Sequence, residues 1–366
     1  MRLSDIAKSP LWLAELFTTA KSFNSNPVIA SRTLNQLGLH MARVSAAHLM
    51  SRWRTLFMGH LLTEDHKRQY REQGYLRIDN VLPAGDFARL REEILAFEGD
   101  LRRMVQGDTL TFQGLLDAQA LAQMPSCRKL LTDDCLLKTM MYGGYVYKHP
   151  IFFAHLVVNG AAPNSRAPDP QKDFHADTFH PTMKAWLFLD DVTPENGPFM
   201  YVPGSHRLTP ARRGWDHEMA VTGRDLENTY AQRGSFRISE TDLKARGFAD
   251  PVTFTVPANT LVMADTYGFH RRGDAAPGTS RLAIYAYSRA NPFNPFPGAL
   301  PASRAAIEQW ATRRSLTAAD RAAETRNSRA SWHQVPSGEL RANANTSPSR
   351  AEKPAPPQNP LSRMSP

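Results

Sequence analysis

Two histidines, an aspartate and an arginine stand at spacings that could support redox chemistry. His175 and Asp177 are separated by one residue, His270 follows far downstream, and Arg281 comes eleven residues after it. Two imidazoles and one carboxylate are the donor set that leaves half of an octahedral Fe(II) site open for a substrate and O₂. On an extended strand the two ends of a His-x-Asp pair project from the same face, so a third ligand from a distant strand can complete a facial triad. A nearby arginine is suited to anchor an acidic cosubstrate. Such a centre oxidises carbon rather than hydrolysing a bond.

The surrounding sequence must fold so that these groups meet. Beyond residue 140 its character is β, with expected strands at Tyr145–Tyr147, Phe152–Val158, around His175, Met183–Leu189, Phe199–Val202, Val252–Val256, Leu261–Ala264 and Leu282–Ser288. Turn signals separate several of them, and Asn196-Gly197 between two apolar runs is a hairpin cue. Many short strands with such punctuation predict a double-stranded β-helix, the cupin-like jelly roll, with flanking helices. The expected domain spans 61–300. Ahead of it, Thr63 reads as the cap of a helix ending near Gly74, Tyr75–Ile78 as a strand, and Asp86–Phe97 as a second helix; 101–140 is expected to be mostly helical.

The flanks read differently. Residues 1–60 suggest a basic amphipathic helical segment, with apolar residues at roughly helical intervals from Leu34 to Leu62. It is expected to pack on the domain, to form a dimer interface, or to lie on an anionic membrane surface. Residues 205–250 are polar and arginine-rich and suggest a loop with some helix, serving as a lid. Arg207, Arg212, Arg213, Arg233 and Arg237 in it could meet an anionic or acyl-linked substrate, or form a solvated face. Residues 301–335 are expected to be helical, and 336–366, rich in Pro, Ser, Asn and Ala, to be disordered.

Bulk composition narrows the function. The net charge is +9, but 1–60 hold 7 basic and 2 acidic residues and 301–366 hold 10 and 5, which leaves 27 and 28 in the middle. A core of net −1 does not fit a nucleic-acid-binding surface. The two cysteines, Cys127 and Cys135, lack metal-type spacing and suit a reducing compartment. No signal peptide or long apolar run is evident, so the expected location is cytoplasmic, with peripheral membrane contact through 1–60 as one option.

The motif order carries a resemblance. After His175-Ala176-Asp177 come Trp186-Leu187-Phe188-Leu189-Asp190-Asp191, Asn196-Gly197, Phe199-Met200-Tyr201-Val202 and Pro203-Gly204-Ser205-His206, then His270 and Arg281. Over roughly 62–290 the chain resembles the phytanoyl-CoA dioxygenase family of Fe(II)/2-oxoglutarate oxygenases. The resemblance implies that His175, Asp177 and His270 bind iron, and that Arg281 holds the distal carboxylate of 2-oxoglutarate in a forked pair. It places Trp186 near the cosubstrate, and Thr182 and His180 lie close enough to the triad to line the pocket. His206 reads as structural and His155 as packing. Arg272 departs from the family's small hydroxyl residue. Retention of Asp177 favours hydroxylation or desaturation over halogenation, in which a small residue replaces the carboxylate. The expected enzyme is a hydroxylase using Fe(II), 2-oxoglutarate and O₂ on a small-molecule or lipid-like metabolite. The competing expectation is a non-catalytic jelly-roll binding or scaffold protein anchored through its basic flanks.

Overall fold

The computed structural model describes residues 3–162, 168–298, 302–326, 328 and 330–344. Eleven strands run through it: β1 Tyr75–Ile78, β2 Leu101–Gln106, β3 Thr109–Leu115, β4 Ile151–Val158, β5 Met183–Phe188, β6 Phe199–Tyr201, β7 Val252–Thr253, β8 Thr260–Asp265, β9 His270–Arg272, β10 Ser280–Ser288 and β11 His333–Val335. They form an eight-stranded sheet in the order β1-β8-β5-β10-β4-β3-β2-β11 and a three-stranded sheet, β7-β6-β9. Every pairing is antiparallel. Non-consecutive neighbours and a small second sheet match the jelly-roll expectation.

The major sheet has two differently used faces. Leu156, Leu187, Leu261, Met263, Leu282 and Ile284 pack with the helices Glu64–Gln73, Ala84–Leu95 and Asp134–Gly143 in the largest core cluster. Because side chains alternate along a strand, Arg281, Ala283, Tyr285 and Tyr287 share the other face of β10. Register sets Val157, His155, Phe153 and Ile151 of β4 beside them. That face looks toward the minor sheet and carries the site.

Several local expectations are corrected. Residues 101–115 form the hairpin β2–β3 instead of helix. Its turn holds Gly107 at φ +59, and a Cβ there would come within 2.5 Å of the Asp169 backbone nitrogen. Alternation in Thr109–Leu115 was masked by polar residues that face the site. Tyr145–Tyr147 is not a strand: Tyr145 adopts φ +57, and its hydroxyl and carbonyl are taken by Asp265 and Arg54. His175 lies on an extended segment joined by single bridges to Arg237 and His270, outside any strand. At the C-terminus, residues expected to be unstructured from 336 begin with the helix Gly338–Asn343, whose Leu340 is buried in the main core. The rest of that stretch, from 345, lies outside the described residues.

The N-terminal helix Leu39–Met58 packs with unexpected polarity. It buries His40, Arg43, His48, Ser51 and Arg54 beside Val44, Ala47 and Met58, and leaves Leu49, Trp53, Leu56 and Phe57 exposed. Its buried arginines act on backbone carbonyls. Arg43 donates to Leu16 O, Thr18 O and Ala20 O, and Arg54 to Tyr145 O and Asn294 O. Each guanidinium satisfies several acceptors at once, which makes its burial tolerable.

Candidate functional site

The His-x-Asp segment is held by its backbone before its side chains act. His175 and His270 exchange two N–H···O bonds at 3.0 Å, Ala176 N–H donates to Phe236 O at 3.0 Å, and Asp177 N–H to Thr266 O at 2.9 Å. The extended conformation sends Phe174 and Ala176 into an apolar cluster with Phe236, Ile238 and Phe269. His175 and Asp177 therefore project together to the opposite side.

There the three donors meet. Asp177 Oδ1 lies 3.7 Å from His175 Nε2 and 3.7 Å from His270 Nε2, and the ligand atoms of all three residues fall within 4.8 Å of one another. Nδ1–H of His175 donates to Asp173 O at 2.7 Å, and Nδ1–H of His270 to Gly268 O at 2.9 Å. Those bonds fix the tautomer and turn both Nε2 lone pairs toward the carboxylate. Burial pushes the His270 imidazole down to about 4 and the His175 imidazole well below its ordinary value, so both are neutral, as metal ligands must be. Burial alone would raise the Asp177 carboxyl; the positive charge of Lys184, with Arg289 adding to it, outweighs burial and holds the carboxyl well below the usual range. His270 Nε2 is buried with no hydrogen-bond partner. An orphaned ring nitrogen facing a buried carboxylate fits a bound cation, and the two-His-one-carboxylate set suits Fe(II).

Arg281 stands near the start of β10, buried, with its guanidinium donating to Gly197 O at 2.5 Å and lying 5.4 Å from the Phe188 ring centroid. Among the described residues no carboxylate comes within ion-pair distance of it. Burial, with Arg272 adding repulsion, pushes it down to about 9. Arg281 and His270 face one cavity of about 200 Å³, whose wall also holds Trp186, Tyr285, His155 and Lys184. Trp186 packs on Phe199 with ring centroids 4.6 Å apart.

Three sequence assignments change place. Thr182 is not in that wall: its hydroxyl bonds Thr266 Oγ1 at 2.9 Å and its N–H donates to Asp265. His180 is likewise buried outside the cavity, against Phe179. His155, read as packing, lines the cavity and contacts Gln113 at 3.3 Å. His206 donates to Arg71 O, a structural role. Arg272 is balanced by Asp169 at 3.3 Å, and Arg271 by Glu240 at 3.1 Å.

Two lysines were missed. Lys184 Nζ lies 2.6 Å from Asp177 Oδ2, and strand alternation puts it on the same face as Trp186, a usable signal. Lys21 Nζ donates to Asp177 O, from a segment with no motif at all. Burial pushes Lys21 down to about 8.

The 205–250 insert supports this centre from behind. Its helices Pro210–Thr222 and Glu240–Ala245 bring Trp215 and Leu243, and the segment between Thr229–Gln232 and Glu240–Ala245 brings Phe236 and Ile238, against Phe174, Ala176 and Phe269. None of its residues lines the cavity that holds Arg281. Arg212 is fully buried, paired with Asp216 at 3.1 Å, donating to Ser205 O and Tyr267 O. Arg213 donates to Ser45. Arg212 is buried and Arg237 half-buried, while Arg207, Arg213 and Arg233 are exposed; the insert looked polar because its buried apolar residues are scattered among solvated side chains.

Residues 70–239 match the model of the phytanoyl-CoA dioxygenase family. No curated protein matches the chain. Similar solved structures include the non-heme alpha-ketoglutarate-dependent epimerase SnoN from nogalamycin biosynthesis, at 23% identity and TM-score 0.42, over 62% of this chain and 83% of that one. The carbocyclase SnoK from the same biosynthesis gives 21% identity and TM-score 0.39, over 63% and 85%. HygX from Streptomyces hygroscopicus, with nickel and 2-oxoglutarate bound, gives 20% identity and TM-score 0.38, over 63% and 88%.

Proposed function

We propose that this chain, an Fe(II)/2-oxoglutarate-dependent oxygenase by its phytanoyl-CoA dioxygenase domain at residues 70–239 and its His-Asp-His triad, hydroxylates an unactivated C–H bond of a small-molecule metabolite. The observation that carries this reading is Arg281. A buried guanidinium without a carboxylate partner is costly, and here it shares a cavity with the metal ligand His270. The distal carboxylate of 2-oxoglutarate would neutralise it through a forked pair.

Iron(II) held by His175, Asp177 and His270, with 2-oxoglutarate and O₂, would supply an oxidant for the C–H bond, with release of succinate and CO₂. The protein's own part is positional. Asp173 O and Gly268 O orient the imidazoles, and Lys184 steadies the carboxylate. Trp186, Phe199 and Tyr285 wall the cavity against water.

Anaerobic addition of Fe(II) and 2-oxoglutarate should produce a metal-to-ligand charge-transfer band, and Asp177→Ala and Arg281→Ala should each cut 2-oxoglutarate turnover by at least about a hundredfold. Wild-type turnover in either variant would falsify the assignment. Absence of the band in the wild-type chain would favour the non-catalytic binding role.

We also propose a peripheral membrane contact. Exposed Leu49, Trp53, Leu56 and Phe57 share the helix Leu39–Met58 with exposed Arg52, and no acidic residue occurs between Glu15 and Glu64. Aromatic and aliphatic side chains beside a cation suit an anionic lipid interface. No described helix is long and apolar enough to cross a membrane.

A further inference from the structure

On the face of the major sheet that carries Arg281, the far end of β10 is aromatic. Tyr285 and Tyr287 stand in register with Phe153 and Ile151 of β4, and Leu115 of β3 stands opposite Phe153. The Phe153 and Tyr287 rings lie 6.1 Å apart and nearly parallel, at 12°. Both tyrosines are only half-buried.

The helix Ala302–Thr325 passes over this wall and touches it through Thr312, which hydrogen-bonds the Tyr287 side chain. Glu308, Ala311, Thr312, Ser315 and Leu316 recur at helical spacing and face a groove of about 530 Å³ that the wall bounds on the other side. None of the side chains described in this helix is fully buried. Ion pairs hold it instead: Lys148–Glu308 at 3.0 Å, Arg102–Asp320 at 2.8 Å, and Arg313–Asp117. Anchored by these pairs and by the Thr312–Tyr287 contact, with none of its described side chains buried, the helix leaves room for an occupant beside the Phe153 and Tyr287 rings. The volume is that of small-molecule sites, roughly 300–1,000 Å³.

The groove adjoins the cavity at the candidate metal centre. Gln113 and Trp332 belong both to its lining and to the wall of the cavity that holds His270 and Arg281. Its charges are matched internally. Arg102 has Asp100 at 3.1 Å as well as Asp320, and Lys148 has Glu308. The arginines of 205–250 do not line it.

We propose that this groove is the substrate chamber, and that it takes an uncharged, ring-containing apolar molecule stacked on Phe153 and Tyr287 beneath the helix Ala302–Thr325. This rests on the oxygenase reading above. Aromatic faces favour offset stacking with a planar ring. A chamber with internally paired charges offers nothing to offset the desolvation of an anion. The anionic substrate expected from the insert arginines is thereby replaced by a neutral one.

The test uses the full chain with Fe(II) and 2-oxoglutarate, without oxygen. The probes are N-phenyl-1-naphthylamine, which is neutral, and 1-anilinonaphthalene-8-sulfonate, which adds a negative charge to the same ring system. Ser315→Trp fills the groove from an exposed helix position, so folding is not at risk. Ala318→Trp, exposed and outside the groove lining, adds equal bulk elsewhere. The neutral dye should bind the wild-type chain more tightly than the sulfonate. Ser315→Trp should weaken it at least about tenfold, and Ala318→Trp should leave it unchanged. The charge-transfer band should form in all three proteins. Equal dye binding by Ser315→Trp and wild type, tighter binding of the sulfonate, or no neutral-dye binding would overturn the proposal. Loss of the band from the wild-type chain would instead strike the oxygenase reading, since dye binding is measured independently of it.

Discussion

His175 and His270 use the same device: each ring donates Nδ1–H to the carbonyl two residues before it and so presents Nε2 to Asp177. Lys184 completes the carboxylate's surroundings. Replacing it by Met leaves a largely buried carboxylate unpaired and should cost the metal-free protein about 3 kcal/mol. Because Fe(II) can take over the neutralisation, the metal-induced rise in thermal midpoint should exceed that of wild type; equal rises would show that Lys184 does not steady Asp177. Arg281→Lys keeps the charge but loses the fork. It should weaken 2-oxoglutarate at least about tenfold in a charge-transfer titration, and an unchanged midpoint would remove Arg281 from the cosubstrate site. Imidazoles away from the centre predict acid sensitivity. Burial lowers His40 and His206 from 6.5 to about 4. Their stabilising contribution is complete above 6.5 and is lost as pH falls toward 4, about 2 kcal/mol for each at pH 5. Asp265, raised by burial to about 6, acts in the opposite sense, favouring the fold at low pH. The imidazoles outnumber it, so urea midpoints should fall between pH 7 and 5. His40→Phe should flatten that slope, and an unaltered slope would discount His40.

At the scale of elements, the metal segment is anchored on three sides. The bridge to β9, the 235–238 strip of the insert, and Lys21 from the N-terminal segment all bond its backbone. Arg43 holds the carbonyls of Leu16, Thr18 and Ala20, and so fixes the stretch that carries Lys21. The insert's key support is Arg212, which lies over the Tyr267 ring at 3.7 Å and pairs with buried Asp216. Arg212→Leu strands that carboxylate and should destabilise the fold by about 3–5 kcal/mol. Guanidinium unfolding measures this; a loss under about 1 kcal/mol would return Arg212 to the role of a surface cation. The helical insert and the β2–β3 hairpin were poorly legible for one physical reason. Polar side chains buried inside the protein, Thr109 and Thr111 in the hairpin and Arg212 and Asp216 in the insert, break the apolar pattern, so polarity did not mark exposure at those positions. The helix Glu64–Gln73 and strand β1, with a threonine cap, a terminal glycine and ordinary alternation, were legible to within a residue.

For the whole molecule, the described N-terminal helices form one side of the domain and its outer apolar stripe remains uncovered. Sedimentation with vesicles of anionic phospholipid should recover the wild-type chain, and Trp53→Glu with Leu56→Glu should return it to the supernatant. Equal recovery of both would dispose of the membrane contact. What the sequence by itself determined is the donor set and its order: His175, Asp177, His270 and Arg281, on a β-rich chain with family-like motifs between them. Those features are local or periodic, so they survive without knowledge of contacts. Only the tertiary structure decided what surrounds the donors. Lys21 and Lys184 approach Asp177 from segments 156 and 7 residues away in sequence. Arg212 of the insert turns inward, Thr182 is taken by Thr266, and a C-terminal helix stands over a wall made by β3, β4 and β10. Apart from Lys184, whose face strand alternation gives, each depends on which distant surfaces meet, and a charge brought from a remote segment or an open groove has no signature in composition or spacing.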